Sequence, residues 1–342
     1  MFGGTMKAGK LKMEFLQRLI KKYTISDPRV VLGPGVGEDA AVIDPGQGFR
    51  YYWVVTSDPI TFATDQIGHY GVVVNLNDIA TRGAIPKWFI ATLLFPKKGT
   101  DSRLVEKIFR QIHAACERFH ISTIGGHTEI TGGIDKTILS GTMIGEVEKR
   151  RLVTTGGARA GDLLLLVKGV CIEGTSIIAK EKKLELMERG LDPSLLRRAK
   201  NYIFHPGIEV FQAARLARDA VSVHSMHDPT EGGLINGVVE VAEASQKEIE
   251  VDLSKVHVYP ESRSLCEAFG LNPLRVIASG ALLLTIAPTD LSGLQNALAR
   301  AFIRSQVIGR VKRGPARVLN LEGRRRRELH PSPRDEILKI LE

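Results

Sequence analysis

Five short stretches carry residue types that bind phosphate and divalent cations. The first, residues 31–44, reads Val-Leu-Gly-Pro-Gly-Val-Gly-Glu-Asp-Ala-Ala-Val-Ile-Asp. Gly33, Gly35 and Gly37 alternate, Glu38 and Asp39 follow, and the apolar run from Ala40 to Ile43 reads as a strand. A backbone without side chains comes close to phosphate oxygens and turns its N–H groups toward them. Carboxylates beside such a loop are hard oxygen ligands for Mg²⁺, which binds through one or two carboxylates plus substrate phosphates. The same letters also fit a glycine-rich turn with a solvated acidic pair.

The second stretch is Thr56-Ser57-Asp58, at the end of an aromatic and β-branched strand, 51–56. Asp58 can face a ligand there, or simply precede Pro59 in a turn. The third lies on a helix expected over 66–82, capped by Asp65 and closed by Gly83 and Pro86. Gly71, Asn75, Asp78 and Arg82 fall on one stripe of it, beside Val72, Val73, Leu76 and Ile79. Asn and Asp are poor residues for a helix interior, so the stripe marks either a metal or phosphate site or a solvated face. The fourth, Ile124-Gly125-Gly126-His127-Thr128-Glu129, is a loop expected after a short strand, 121–124. The fifth, Met226 to Leu234, contains Asp228 and a glycine pair and opens a helix over 234–244. A helix start of that kind favours an anion, and it also fits an ordinary cap.

The elements that must position these groups alternate between strand and helix. An amphipathic helix over 10–22 precedes the first glycine loop. Strands at 88–95 and 136–147 and a helix with Ile108, Ile112 and Cys116 inward complete the first half. Residues 154–161 look like a linker, and a second α/β unit begins with the buried strand 163–167. At 342 residues the chain suits two domains, placed at 1–155 and 156–342. No apolar run approaches the ~20 residues that span a bilayer, so no membrane partner is expected. Three scattered cysteines, Cys116, Cys171 and Cys266, fit buried thiols in a reducing cytoplasm.

The formal charge is +9, and residues 301–342 hold eleven Lys or Arg against five Asp or Glu. Arg324 to Arg327 lack interleaved aromatics, so a solvated, hairpin-like surface is expected there rather than a nucleic-acid partner. This segment is expected to add little beyond local charge.

The order and spacing of the stretches resemble the AIR synthase (PurM-like) superfamily over roughly residues 10–312. Gly-Glu-Asp-Ala-Ala-Val, Thr-Ser-Asp, Val-Asn-Leu-Asn-Asp-Ile-Ala-Thr-Arg-Gly-Ala-Ile-Pro, Gly-Gly-His-Thr-Glu, His-Asp-Pro-Thr-Glu-Gly-Gly-Leu and Ala-Ser-Gly-Ala-Leu-Leu carry the likeness. In wording it is most similar to the hydrogenase maturation factor HypE and HypE-like AIR synthase-related proteins. The resemblance implies an α/β (α+β) fold of two domains, with the N-terminal sheets of a homodimer forming a β-barrel at the interface. It implies ATP and Mg²⁺ as cofactors, with Glu38, Asp39, Asp58 and Asp78 on the metal. Gly33, Gly35, Gly37, Asn75, Gly125, Gly126, Thr128 and Glu129 would bind the nucleotide, and His127 and Asp228 would be catalytic. The implied chemistry is transfer of the γ-phosphoryl group to a carbonyl, amide or similar acceptor.

One departure matters. HypE ends in a Pro-Arg-x-Cys tail, whereas Pro331-Ser332-Pro333-Arg334-Asp335-Glu336 and the residues after it hold no cysteine. The expected acceptor is therefore a separate small molecule or protein-borne group. The alternatives are a thiamine-monophosphate kinase-like enzyme, or a nucleotide-binding scaffold that docks a maturation factor without turnover.

Overall fold

Strict alternation of side chains organises the first sheet. In β6 (Ile138–Glu148) every second residue is buried, the signature of a strand with one face on a core. The computed structural model describes residues 11, 13–35, 37–60, 65–323 and 325–341. Arg324, in the basic run, lies outside them. Helices α1 (Met13–Tyr23), α2 (Ile67–Thr81) and α3 (Ser102–Arg118) accompany six strands in this half. The other five are β1 (Val30–Leu32), β2 (Ala41–Ile43), β3 (Tyr51–Ile60), β4 (Ile85–Pro96) and β5 (Ser122–Thr131). They join in the order β1-β2-β3-β6-β4-β5, an open sheet without barrel closure. Asp101 caps α3 by accepting from the Leu104 N–H at 2.8 Å, and Ile108, Ile112 and Cys116 are buried on its inner face.

Helix α2 is the axle of the molecule. Every residue except Val74 is buried, including Asn75 and Asp78, so the solvated-face reading of its stripe falls away. Gly141 makes room for it: a Cβ there would stand 2.7 Å from Asn75 Nδ2 and 2.9 Å from the Gly71 carbonyl oxygen. The predicted Asp65 cap is not formed. Gln66 is the N-cap, in left-handed backbone, while Asp65 pairs with Lys107 and Lys180. The far side of α2 meets the second half, where Asn77 Nδ2 donates to the Ile208 carbonyl at 2.8 Å and its Oδ1 accepts from the Val210 N–H at 2.9 Å.

The second half holds seven strands: β7 (Leu163–Val167), β8 (Val223–His227), β9 (Glu248–Val251), β10 (Leu282–Ile286), β11 (Ser305–Lys312), β12 (Arg317–Glu322) and β13 (Arg325–Leu329). Their order is β13-β12-β9-β11-β7-β10-β8. The helices are α4 (Ile172–Glu181), α5 (Lys183–Glu188), α6 (Pro193–Lys200), α7 (Phe211–Ala220), α8 (Gly233–Ser245), α9 (Pro260–Ala268), α10 (Leu291–Arg300) and α11 (Leu338–Leu341). Leu164 and Leu166 of β7 pack with α8 on one face, and Leu163, Leu165 and Val167 with α7 and α10 on the other. A strand covered on both faces is apolar throughout, as Leu-Leu-Leu-Leu-Val is. No helix among the described residues is long and apolar enough to cross a membrane.

Two expectations are corrected here. The Gly125–Glu129 segment is no loop but the middle of β5, an edge strand parallel to β4. Gly126 permits that pairing, because a Cβ on it would stand 2.1 Å from the Ala91 carbonyl oxygen. β13 is exposed and forms with β12 the hairpin expected of the basic run, but the C-terminal segment adds more than local charge. β12 and β13 extend the sheet, Arg326 pairs with buried Glu250 at 3.0 Å, and Ile337 is fully buried against Cys171, Leu265 and Ile277. Ile337→Ala should therefore cost about 2–5 kcal/mol in urea unfolding; a loss below about 0.5 kcal/mol would show that the tail does not share this core.

Candidate active site

Arg82, just past the end of α2, is fully buried, and a buried guanidinium needs acceptors. It finds them on three segments. Its Nη1 pairs with Glu38, and its Nη2 with Asp39 at 2.9 Å, Thr155 Oγ1 at 2.7 Å and the Met226 carbonyl at 3.1 Å. Glu38 also accepts from the backbone N–H groups of Thr155 and Gly156, at 3.2 and 3.1 Å. The apparent linker at 154–161 is therefore bonded into the site. Gly37, at φ 79°, brings this loop against α8, where a Cβ would lie 2.8 Å from the Glu240 carbonyl oxygen. Gly35 is exposed, whereas Gly33 is half-buried like Gly37.

Asp39 is the second junction. Its Oδ2 accepts from Thr81 and Arg82, both at 2.9 Å, and its Oδ1 accepts from His227 Nδ1 at 2.8 Å. His227 Nε2 donates in turn to Glu240 of α8, at 2.9 Å. Burial works against a charge on His227, but the Asp39 carboxylate and the hydrogen bonds to Asp39 and Glu240 prevail and raise its pKa to about 10. Burial likewise opposes the Asp39 charge, and His227 and Arg82 still hold its pKa below the usual carboxylate range. Glu38 and Asp39 thus serve this folded chain first as anchors between its halves.

The remaining carboxylates are short of partners. Asp78 accepts from Thr56 Oγ1 at 2.6 Å and lies within hydrogen-bonding reach of the Asp58 carboxyl. Asn75 sets the Asp58 backbone, accepting from its N–H at 3.0 Å and donating to its carbonyl at 3.3 Å. Asp228, at the mouth of β8, is 2% exposed, and neither carboxylate oxygen has a hydrogen-bond partner. Burial and then the charges of Asp58 and Asp228 push the pKa of Asp78 well up, and burial and then Asp39 do the same for Asp228. Buried carboxylates in mutual repulsion are what a divalent cation relieves.

Among the described residues no three His, Cys, Asp or Glu side chains form a ready-made metal cage. Mg²⁺ does not need one, since it keeps waters and takes much of its shell from phosphate oxygens. The hard oxygens of Asp58, Asp78 and Asp228 fit that ion.

Not every expected residue joins this group. Strand pairing sets His127 beside Thr92 and Ser140, whereas Asp58 pairs with Gly141 on the opposite face of the sheet. His127 instead bonds Glu129 at 3.0 Å, with both side chains largely in solvent. Gly125, Gly126 and Thr128 share this exposed edge strand. Within one chain, then, β5 does not bring His127 and Glu129 to the acidic cluster, because side chains alternate along a strand. Glu240, Thr155 and the role of His227 escaped the sequence reading. A signal for His227 was present in its place beside Asp228; for Glu240 there was none.

The charged His227 yields a pH prediction. A histidine whose pKa rises from 6.5 to about 10 on folding stabilises fully below the lower value and loses that contribution as pH climbs through the upper one. In EDTA, the thermal stability gap between wild type and His227→Gln should shrink steadily from about pH 6.5 to about pH 10. A gap that is flat with pH would mean that His227 is neutral in the folded protein.

With this geometry in view, comparison with known proteins is informative. The family model described as AIR synthase related protein, N-terminal domain, matches residues 37–147, and that of the C-terminal domain matches residues 159–321. A putative hydrogenase expression/formation protein of Methanocaldococcus jannaschii is 26% identical over 282 residues, 80% of each chain. Among solved structures, AaThiL complexed with AMPPCP and TMP superposes with a TM-score of 0.71 at 21% identity, covering 95% of this chain and 99% of that one. Hydrogenase maturation protein HypE in complex with ATP gives 0.70 at 21% identity, covering 94% and 96%. At that identity the structural likeness speaks for the fold.

Proposed function

The chain belongs to the AIR synthase related family, and from that premise we propose that it is an ATP- and Mg²⁺-dependent enzyme passing the γ-phosphoryl group to a carbonyl, amide or similar acceptor. The observation that carries this reading is that Asp78 and Asp228 are buried beside the half-buried Asp58, with two orphaned oxygens on Asp228. A scaffold without turnover would gain nothing from that arrangement, since buried unpaired carboxylates cost stability. Bound Mg²⁺ would supply charge neutralisation between triphosphate and carboxylates.

The chain's own residues supply position. Asp58 and Asp78 come from a strand and a helix locked by Asn75, and Asp228 comes from the second half. Arg82 and His227 tie the halves together, so the three carboxylates meet at fixed places. Gly33, Gly35 and Gly37 leave the mouth open for phosphates. The acceptor in this reading is a separate molecule, because Cys116, Cys171 and Cys266 are all buried and none offers an accessible thiol. The two domains are taken as 1–155 and 156–342.

Calorimetry with AMPPCP and Mg²⁺ tests this. Asp78→Asn and Asp228→Asn should each weaken the Mg²⁺-dependent affinity by about tenfold or more, 1.4 kcal/mol, while leaving binding in EDTA little changed. Wild-type protein that binds no nucleotide at millimolar concentration would sink the reading.

The same reading includes a homodimer. Among the described residues the face of the first sheet turned away from α2 has no cover, and Trp53, Trp88, Ile90, Leu94 and Ile144 lie on it, half-buried or exposed. A patch of that kind marks an interface, and two such sheets would close into a barrel around the open edges. His127 and Glu129 lie on this face and would border the partner. Sedimentation should give twice the chain mass of 37.5 kDa, and Ile90→Asp should return a folded monomer. A wild-type monomer at micromolar concentration, unchanged by ATP, would refute the dimer.

A further inference from the structure

The acidic trio has a mechanical problem. Asp228 is repelled by its neighbours and has no hydrogen bond to hold it, so its backbone alone must keep it in place. The loop that carries it runs from β8 to α8. At its start, His227 is bonded through both ring nitrogens. Its end passes through Gly232 and Gly233, both in left-handed backbone at φ 86° and 69°. Turns built on two such glycines have little stiffness of their own.

The C-terminal strap supplies it. Asp335, 2% exposed, accepts from the Gly232 N–H at 2.7 Å through Oδ2 and from the Ile337 N–H at 2.9 Å through Oδ1. The anion expected at the start of this helix is therefore the chain's own carboxylate. Ser332 and Asn236 exchange two bonds, at 2.7 and 3.2 Å, which fixes the strap to the first turns of α8. Glu336 accepts from the Asn272 N–H at 2.7 Å, and Ile337 seals the far end in the core. On the inner side, the Thr230 carbonyl accepts from Gly233 and Ala278, at 3.0 and 3.2 Å. Burial pushes the Asp335 pKa up to about 6, in spite of the backbone N–H groups that face it.

We propose that Asp335 is a positioning residue for the cation site: by clamping Gly232 it holds the 228–233 loop, and with it Asp228, against the repulsion of Asp39, Asp58 and Asp78. This rests on the reading of Asp58, Asp78 and Asp228 as the Mg²⁺–nucleotide site. It makes the last turn of the chain part of the active centre without touching a ligand.

Two measurements on wild type, Asp335→Ala and Asp335→Asn test it: amide hydrogen exchange across residues 228–236, and calorimetric titration with Mg²⁺ and AMPPCP. In Asp335→Ala, exchange at Gly232 to Leu234 should accelerate at least about tenfold while α2 is unchanged, and the Mg²⁺-dependent affinity should fall by about tenfold. Asp335→Asn keeps an acceptor for Gly232 but turns its amide NH2 toward the Ile337 N–H, so both readouts should fall between wild type and Asp335→Ala. Should Asp335→Ala fail to fold, Asn236→Ala loosens the same strap and should move both readouts the same way. Unchanged exchange overturns the proposal. So does faster exchange with affinity within about twofold of wild type, which would make the strap merely structural. If wild type itself binds no Mg²⁺–nucleotide, the site reading falls, and exchange alone then decides whether Asp335 anchors the loop.

Discussion

The structure depends on one buried guanidinium. Arg82 reaches Glu38 and Asp39 before β2, Thr155 in the connecting segment, and Met226 in β8, so a single cation binds both halves of the chain. Removing one partner from such a set leaves uncompensated buried charge, commonly at a cost of ~3–5 kcal/mol. The Asp39–His227–Glu240 line then runs from the first half to α8 as a second tie. These ties satisfy Glu38 and Asp39 within the fold, whereas neither carboxylate oxygen of Asp228 has a hydrogen-bond partner.

That division separates two kinds of acidic residue in what looked like one set. Glu38 and Asp39 face cations that the chain provides. The pKa of Asp39 stays low even though burial opposes its charge, whereas Asp78 and Asp228 are pushed well up. The group short of cations is the group suited to a metal–phosphate ligand. Its members come from β3, α2 and the loop after β8. Their mutual geometry is therefore set by how α2 seats on Gly141 and how the halves dock.

The open face of the first sheet follows from the same docking. One side of α2 lies on the sheet and its far side meets the second half, so among the described residues Trp53 stays exposed and Trp88 and Ile90 half-buried. The second half, by contrast, covers both faces of β7 and β10 with helices, and apart from Thr285 their residues are all apolar. The two sheets are thus treated differently by solvent although both are built from strands and helices in alternation.

Much of this was legible in the residues. The order of the glycine and acidic stretches sufficed to identify the family, while Asn75, Asp78 and Arg82 on one helical stripe fitted either a ligand site or a solvated face. Strand and helix periods placed the inward residues, Cys116 among them. What the residues could not show is which partners meet across long separations. The Gly125–Glu129 segment looks like a loop until β4 pairs with it, and that pairing, through strand alternation, turns His127 away from Asp58. Thr155 looks like linker, Glu240 like a surface helix residue, and Asp335 like part of a charged tail. Sequence determined the residue types and their local periods, because those act over a few positions. Tertiary structure decided which carboxylates meet a cation of the chain and which do not, because charge compensation in a buried site depends on contacts between residues up to 188 positions apart.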